Sequence, residues 1–196
     1  MAVRARWLVL GAYVGAIYGT LPYGPILGRP FVRSRPGAWI LGPGMGIAAV
    51  VVCVAIVALL LRRGAPRAAY VALGVAAVGY AFALSWLRAQ HLERVHLPEY
   101  GLMTCLAWWA IAPRLPGLPG YAVAAVLSAA IGWGDELLQA VTPGRYYDLR
   151  DVAANALGAV LGALVLGAIR ARRRAAPVSD VSSARRSPQA AGSSSR

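Results

Sequence analysis

Apolar runs alternate along this chain with short polar breaks rich in Gly and Pro, and the runs fall at residues 7–21, 40–61, 69–87, 99–112, 119–141 and 151–169. A helix needs roughly 20 apolar residues to cross the hydrocarbon of a bilayer. The pattern therefore predicts an all-α, polytopic transmembrane helical bundle of about six spans. The run at 99–112 is short, but Tyr100, Trp108 and Trp109 near its ends suit interfacial anchoring; without it the count is five. Pro22, Gly24, Pro25, Pro36, Gly37, Pro113, Pro116 and Pro119 mark connections between helices. Three organisational parts follow: N-terminal spans over residues 1–90, a core of three spans with polar residues over 91–174, and a tail over 175–196. The tail, of Ser, Ala, Pro and Arg, is expected to be disordered because it cannot bury enough apolar surface to offset chain entropy.

Composition supports the membrane class. Apolar residues make up 59% of the chain, charged residues 14%, and mean hydropathy is +0.58, which argues against an ordinary soluble domain. Arg4 and Arg6 precede the first run and no small-x-small cleavage site follows before Pro22, so this run reads as an uncleaved signal anchor. Cys53 and Cys105 each fall within an apolar run, where a thiol behaves as a small apolar residue, and no CxxC pair exists.

The net charge of +13 comes entirely from arginine. No clustered basic face with aromatic or polar readers is visible, so nucleic acid is not an expected partner; membrane lipid is. Arg170, Arg172, Arg173 and Arg174 directly follow the last run, as the positive-inside rule expects of cytoplasmic charge. Six spans then place both termini in the cytoplasm, with Arg62, Arg63, Arg67 and Arg114 on the same side of the cell membrane. Arg29, Arg33 and Arg35 dissent by falling outside. By parity alone, the connections after the third and fifth spans share one membrane face.

Those two connections, with the helix ends beside them, hold six of the seven acidic residues, from Glu93 to Asp151. An ionised side chain in the hydrocarbon costs about 2.5 to 3.5 kcal/mol on insertion scales, so such a cluster marks a candidate site. The first group reads HLERVHLPEYGL over residues 91–102. Pro98 suits the first position of a helix, and Glu99 in its first turn meets the positive end of the dipole. Glu93 and His96, three apart, can share one side of a short turn, and His96 can act as a general acid or base. The plain reading of His96 is an interfacial hydrogen bond, and His91 reads as solvated.

The second group reads DELLQAVTPGRYYDLRDVAANALGAVLG over residues 135–162. If the helix continues to Val141, Asp135 lies roughly 9 Å back from its end, and Asp135, Glu136 and Gln139 can point into one cleft. If it ends near Gly134, Asp135 is only a cap. Thr142, Pro143 and Gly144 reverse the chain, and Arg145 at the exit either binds an anion bidentately or pairs with these acids, the latter being the plainer expectation. Asp148, Asp151, Asn155, Gly158 and Gly162 then recur within an arc of about 80° on an ideal helix. The Gly158–Gly162 step permits close helix approach, and Asn155 needs a protein partner because lipid offers none.

At these residues the chain closely resembles the VanZ-like family of small bacterial membrane proteins, named for teicoplanin resistance. Glu93, His96 and Tyr100 match its first motif. Glu136, Gln139, Pro143, Arg145, Asp148, Asp151, Asn155 and Gly158 match the spaced second one. The resemblance covers roughly the C-terminal half and implies an all-helical membrane domain linked to glycopeptide tolerance at the cell envelope; it implies no particular mechanism.

Two functions are expected as alternatives. One is an envelope protein acting on or binding a lipid-linked or cell-wall precursor, with Glu136, His96, Glu93 and Asp151 as catalytic candidates and Arg145, Gln139, Asp148 and Asn155 as binding candidates. Carboxylates and an amide could hold Mg²⁺ or Mn²⁺; zinc is disfavoured by two histidines and no Cys ligand. The other is a noncatalytic binding or transport-like protein whose polar residues form a structural network. An open cavity with unpaired carboxylates favours the first, and a closed, fully paired network the second.

Overall fold

A computed structural model describes residues 3–87 and 92–172, and every regular element among them is helical. His91, Arg173, Arg174 and the tail over 175–196 lie outside the described residues. Helix α1 spans Val3–Thr20 and leads into a 3₁₀ turn, Leu21–Tyr23, and a wide turn, Gly24–Gly28. Two short helices follow, α2 (Arg29–Arg33) and α3 (Arg35–Trp39), then a second wide turn, Ile40–Gly44, and α4 (Met45–Arg62). The remaining helices are α5 (Arg67–Trp86), α6 (His96–Ile111), α7 (Leu118–Val141) and α8 (Leu149–Arg170), with a 3₁₀ turn, Glu93–Val95, ahead of α6.

Four helical stretches among the described residues are long and apolar enough to cross a membrane, not the six expected or the five of the alternative count: Arg35–Arg62, Arg67–Trp86, Leu118–Val141 and Leu149–Arg170. The difference has two causes. Helix α6 has only 16 residues, about 24 Å of rise, and α1 opens on Arg4 and Arg6 and carries Tyr13, Tyr18 and Thr20. Both are packing helices of the bundle: Arg6 donates to the Trp109 carbonyl at 3.0 Å and Tyr13 to the Glu99 carbonyl at 3.1 Å. Val50, Val51, Val52 and Val54 on α4, by contrast, are exposed in the way of lipid-facing residues. The protein is a multi-pass membrane protein.

Helix α8 is the hub and packs against α5, α6 and α7. Its small residues explain the close approach. A Cβ added to Gly158 would lie 2.7 Å from the Leu97 carbonyl oxygen, and one added to Gly162 would lie 2.6 Å from that of Gly101, so the GxxxG step rests directly on the α6 backbone. Thr104 locks the same interface by donating 3.2 Å to the Ala159 carbonyl. Asn155 finds its partner on α7, donating 3.0 Å to the Gly132 carbonyl.

These pairings fix helix direction, because Leu97 lies beside Gly158 and the Trp108 ring stacks under the Arg170 guanidinium at 4.3 Å. Helices α6 and α8 are therefore parallel and α7 runs back between them. Buried Arg94 ties α4 and α5 to the starting end of α6 by donating to the Leu87 and Leu41 carbonyls at 3.1 and 3.0 Å. At the far end Leu60, Ala65 and Ala69 pack with Ala168. One end of the bundle thus gathers Arg6, Arg62, Arg63, Arg67, Arg114 and Arg170, while the other gathers six acids.

Candidate functional site

Three chain reversals build the acidic end. Helix α7 continues to Val141, so Asp135 and Glu136 lie inside the helix, one to two turns before its end, rather than capping an earlier terminus. The turn after it depends on Gly144, whose φ of 77° is left-handed and favours glycine. That turn carries Arg145 back over the last turn of α7. Asp148 then caps α8, its Oδ1 accepting the Arg150 N–H at 2.8 Å, which leaves Asp151 in the first turn facing inward. Helix α6 starts at His96, two residues before the start expected at Pro98, with the proline still inside the first turn where it is tolerated.

Gln139 organises the α7 side. Its amide nitrogen donates to Glu136 Oε1 at 2.8 Å and to Asp135 Oδ2 at 3.2 Å, while its carbonyl oxygen accepts from Arg145 Nε at 2.9 Å and from Arg145 Nη2. The expected pairing of Arg145 with the acids is thus replaced by an indirect one. The amide separates the guanidinium from both carboxylates, leaving the rest of the guanidinium over Gly24, where an added Cβ would meet Nη1 at 2.7 Å. Glu136 is further held by the Asp148 N–H, which donates to its Oε2 at 3.1 Å.

His96 stands between two carboxylates, with Nδ1 3.6 Å from Glu99 Oε2 and Nε2 3.8 Å from Asp151 Oδ2. One ligand atom from each of His96, Glu136 and Asp151 lies within 4.8 Å of the others. This is slightly wider than the roughly 4.4 Å that opposite ligands span on a metal with bonds of about 2.2 Å, and small side-chain rotations close the gap. Asp135 and Asp151 are 1% and 7% exposed, yet Oδ1 of each has no hydrogen-bond donor among the described residues, and the same holds for Glu93 Oε2. Buried oxygens left unpaired are costly in a protein interior, and the His96, Glu136 and Asp151 group beside them could hold a metal ion.

A cavity of about 520 Å³ opens above this cluster, within the range of roughly 300–1,000 Å³ of small-molecule sites. Glu93, His96, Glu99, Asp135, Gln139, Arg145 and Asp151 line its polar side, and Ile17, Leu21, Leu27, Leu92 and Val95 its apolar side. Glu136 lies behind the floor, fully buried, and Asn155 lies deeper, held by Gly132. The structure therefore brings together Glu93, His96, Glu136, Gln139, Arg145, Asp148 and Asp151 and leaves Asn155 beneath them. Sequence reasoning assigned no site role to Glu99 or to the segment from Ile17 to Arg29. Glu99 looked like a helix-dipole residue, and no local signal links the end of α1 to the other end of the chain.

Burial pushes the Glu93 carboxyl up to about 7, and Asp151 and Asp148 add to the rise, with His96 and Arg150 opposing it. A carboxyl raised in the folded state stabilises the fold fully below its ordinary value of 4.5, and that contribution is lost as pH rises through about 7. Thermal unfolding in chelator is expected to show stability falling between about pH 5 and pH 8, with a shallower fall for Glu93→Gln. Equal slopes for the two proteins would contradict this assignment.

Comparison with known proteins agrees with the motif spacing. The sequence model of the VanZ/LLP1 family matches residues 31–170, which takes in every helix from α3 to α8. No curated protein and no solved structure matches the chain.

Proposed function

Because the chain belongs to the VanZ/LLP1 family, we propose that it is a cell-envelope membrane protein whose acidic-end cavity binds or acts on a lipid-linked or cell-wall precursor, in a role tied to glycopeptide tolerance. The observation that carries this reading is the open cavity with unpaired buried carboxylates, where a purely structural network would close on itself. In this reading His96, Glu136 and Asp151 would hold Mg²⁺ or Mn²⁺, cations that prefer oxygen ligands. Bound there, such a cation would neutralise and polarise an anionic substrate group, and Arg145 would take a second oxygen of that group. Asp148 positions Glu136 through its backbone N–H, and Asn155 holds α8 against α7 below the site.

The positive-inside rule supports one orientation, from which Arg29, Arg33 and Arg35 dissent. The end with Arg62, Arg63, Arg67, Arg114 and Arg170 faces the cytoplasm, with both termini, and the cavity faces outward, where cell-wall precursors are used. The test is teicoplanin susceptibility in cells expressing Glu136→Gln or Arg145→Ala, with membrane abundance measured in parallel. The expected result is loss of tolerance at normal abundance. Loss of the protein itself, or unchanged tolerance, would count against a site.

A further inference from the structure

The two sides of the cavity differ in chemistry, and together they specify an amphiphile. Its polar side ends in two arginines that reach it from opposite parts of the chain, Arg145 after α7 and Arg29 at the start of α2. Arg145 spends two of its donors on the Gln139 carbonyl, and Arg29 is exposed with no partner among the described residues. A guanidinium group matches the oxygens of a phosphate, and the cavity is lined by two of them. The acids beneath would repel a phosphate, unless it sits between the arginines above and a cation below. The other side is a continuous apolar surface of Ile17, Leu21, Leu27, Leu92 and Val95. Leu27 is 65% exposed and Leu92 and Val95 are 37% exposed, so this surface continues out of the cavity to the protein's exterior rather than ending in a sealed pocket.

We infer that the cavity takes a phosphate carried on a long hydrocarbon chain, with the phosphate held by Arg145 and Arg29 above the His96–Glu136–Asp151 cluster and the chain leaving along Leu27, Leu92 and Val95. This names the substrate class of the site and rests on the cation-assisted reading given above. A soluble sugar phosphate would gain nothing from the apolar side, and a neutral lipid nothing from the arginines. The inference also gives Arg29, which sequence reasoning placed only among charges on the wrong face of the membrane, a part in binding.

The full-length protein in maltoside micelles can be titrated with dodecyl phosphate, inorganic phosphate and dodecanol, each with Mg²⁺ and with EDTA. Dodecyl phosphate is expected to bind at least about 100-fold more tightly than inorganic phosphate, since even a partly buried chain adds several methylene contributions. Dodecanol is expected to show no saturable binding. Arg145→Ala and Arg29→Ala should each weaken dodecyl phosphate about 10-fold or more, whereas Leu27→Ser should narrow the gap between dodecyl and inorganic phosphate. Arg29 is exposed, so its variant tests the clamp without risk to the fold, and Arg145→Lys keeps the charge while removing the fork. Equal affinity for dodecyl and inorganic phosphate, or unchanged affinity in both alanine variants, would overturn the inference. Binding that is the same in Mg²⁺ and EDTA but lost in the arginine variants would keep the lipid phosphate and remove the cation. Absent phosphate binding, with tolerance still abolished by Glu136→Gln, would remove the substrate class and keep the envelope function.

Discussion

Leucine at Gly158 or Gly162 is expected to remove most of the folded protein from the membrane, while leucine at Gly74 leaves its abundance unchanged. Both substitutions add the same apolar atoms to a helix in the same bilayer, so hydrophobicity does not separate them. Space does. At Gly158 the first added carbon would meet the Leu97 carbonyl oxygen at 2.7 Å and the His96 carbonyl oxygen at 3.0 Å, and at Gly162 it would meet three backbone atoms of Gly101 within 3.0 Å. Backbone atoms inside a helix cannot step aside as a side-chain tip does, so α6 and α8 must separate along their length. Overpacking typically costs about 1 to 3 kcal/mol where side chains can adjust, and a backbone clash in a bundle of this size should exceed that range. Nothing lies within 4 Å of a Cβ on Gly74, so the same change there meets no protein atom. Membrane abundance with detergent-resistant thermal unfolding decides the matter: equal behaviour of the Gly74 and Gly158 variants would show that the α6–α8 contact is not the bundle's central interface.

The second large effect concerns the cation. Asp151→Asn and His96→Ala are each expected to lower Mn²⁺ affinity by on the order of 100-fold or more, since even outer partners of metal ligands change affinity by roughly 10- to 100-fold. Asn preserves the shape of Asp151 and its place in the first turn of α8, so fold loss does not confound that variant. Asp151 Oδ1 has no donor to lose among the described residues, and Oδ2 lies 3.8 Å from His96 Nε2. Calorimetric titration of the purified protein reads the change. Affinity retained in both variants would place the cation elsewhere.

Much of this site is legible in the sequence because its residues recur at helical steps within single elements. Asp151, Asn155, Gly158 and Gly162 form a stripe on one helix, and such a stripe needs no tertiary knowledge. The same holds for Glu136 and Gln139, whose three-residue spacing becomes a hydrogen bond in the structure. His96 was harder to place, since only the parity of membrane crossings brings the start of α6 to the same face. The cavity's third side was not readable at all, because the contact between the end of α1 and residues near Arg145 depends on packing across more than 100 positions of chain. The partner of Arg145 was misjudged for an electrostatic reason. Charge complementarity suggested a carboxylate, whereas Gln139 satisfies both signs at once and keeps the acids available. Span number was overcounted because apolar runs also serve helices buried against other helices, as the short α6 is, and α1 opens on arginines and carries polar residues.

The central claim is that His96 from α6 shares one ligand-sized point with Glu136 from α7 and Asp151 from α8. The sequence contains two histidines, so ¹⁵N-histidine labelling makes the test specific once His91→Ala removes the other. Spin-echo modulation of Mn²⁺ bound to that protein should show coupling to one imidazole nitrogen, and the coupling should vanish in His96→Ala. A Mn²⁺ signal with no nitrogen coupling, or one that survives removal of His96, would contradict the account.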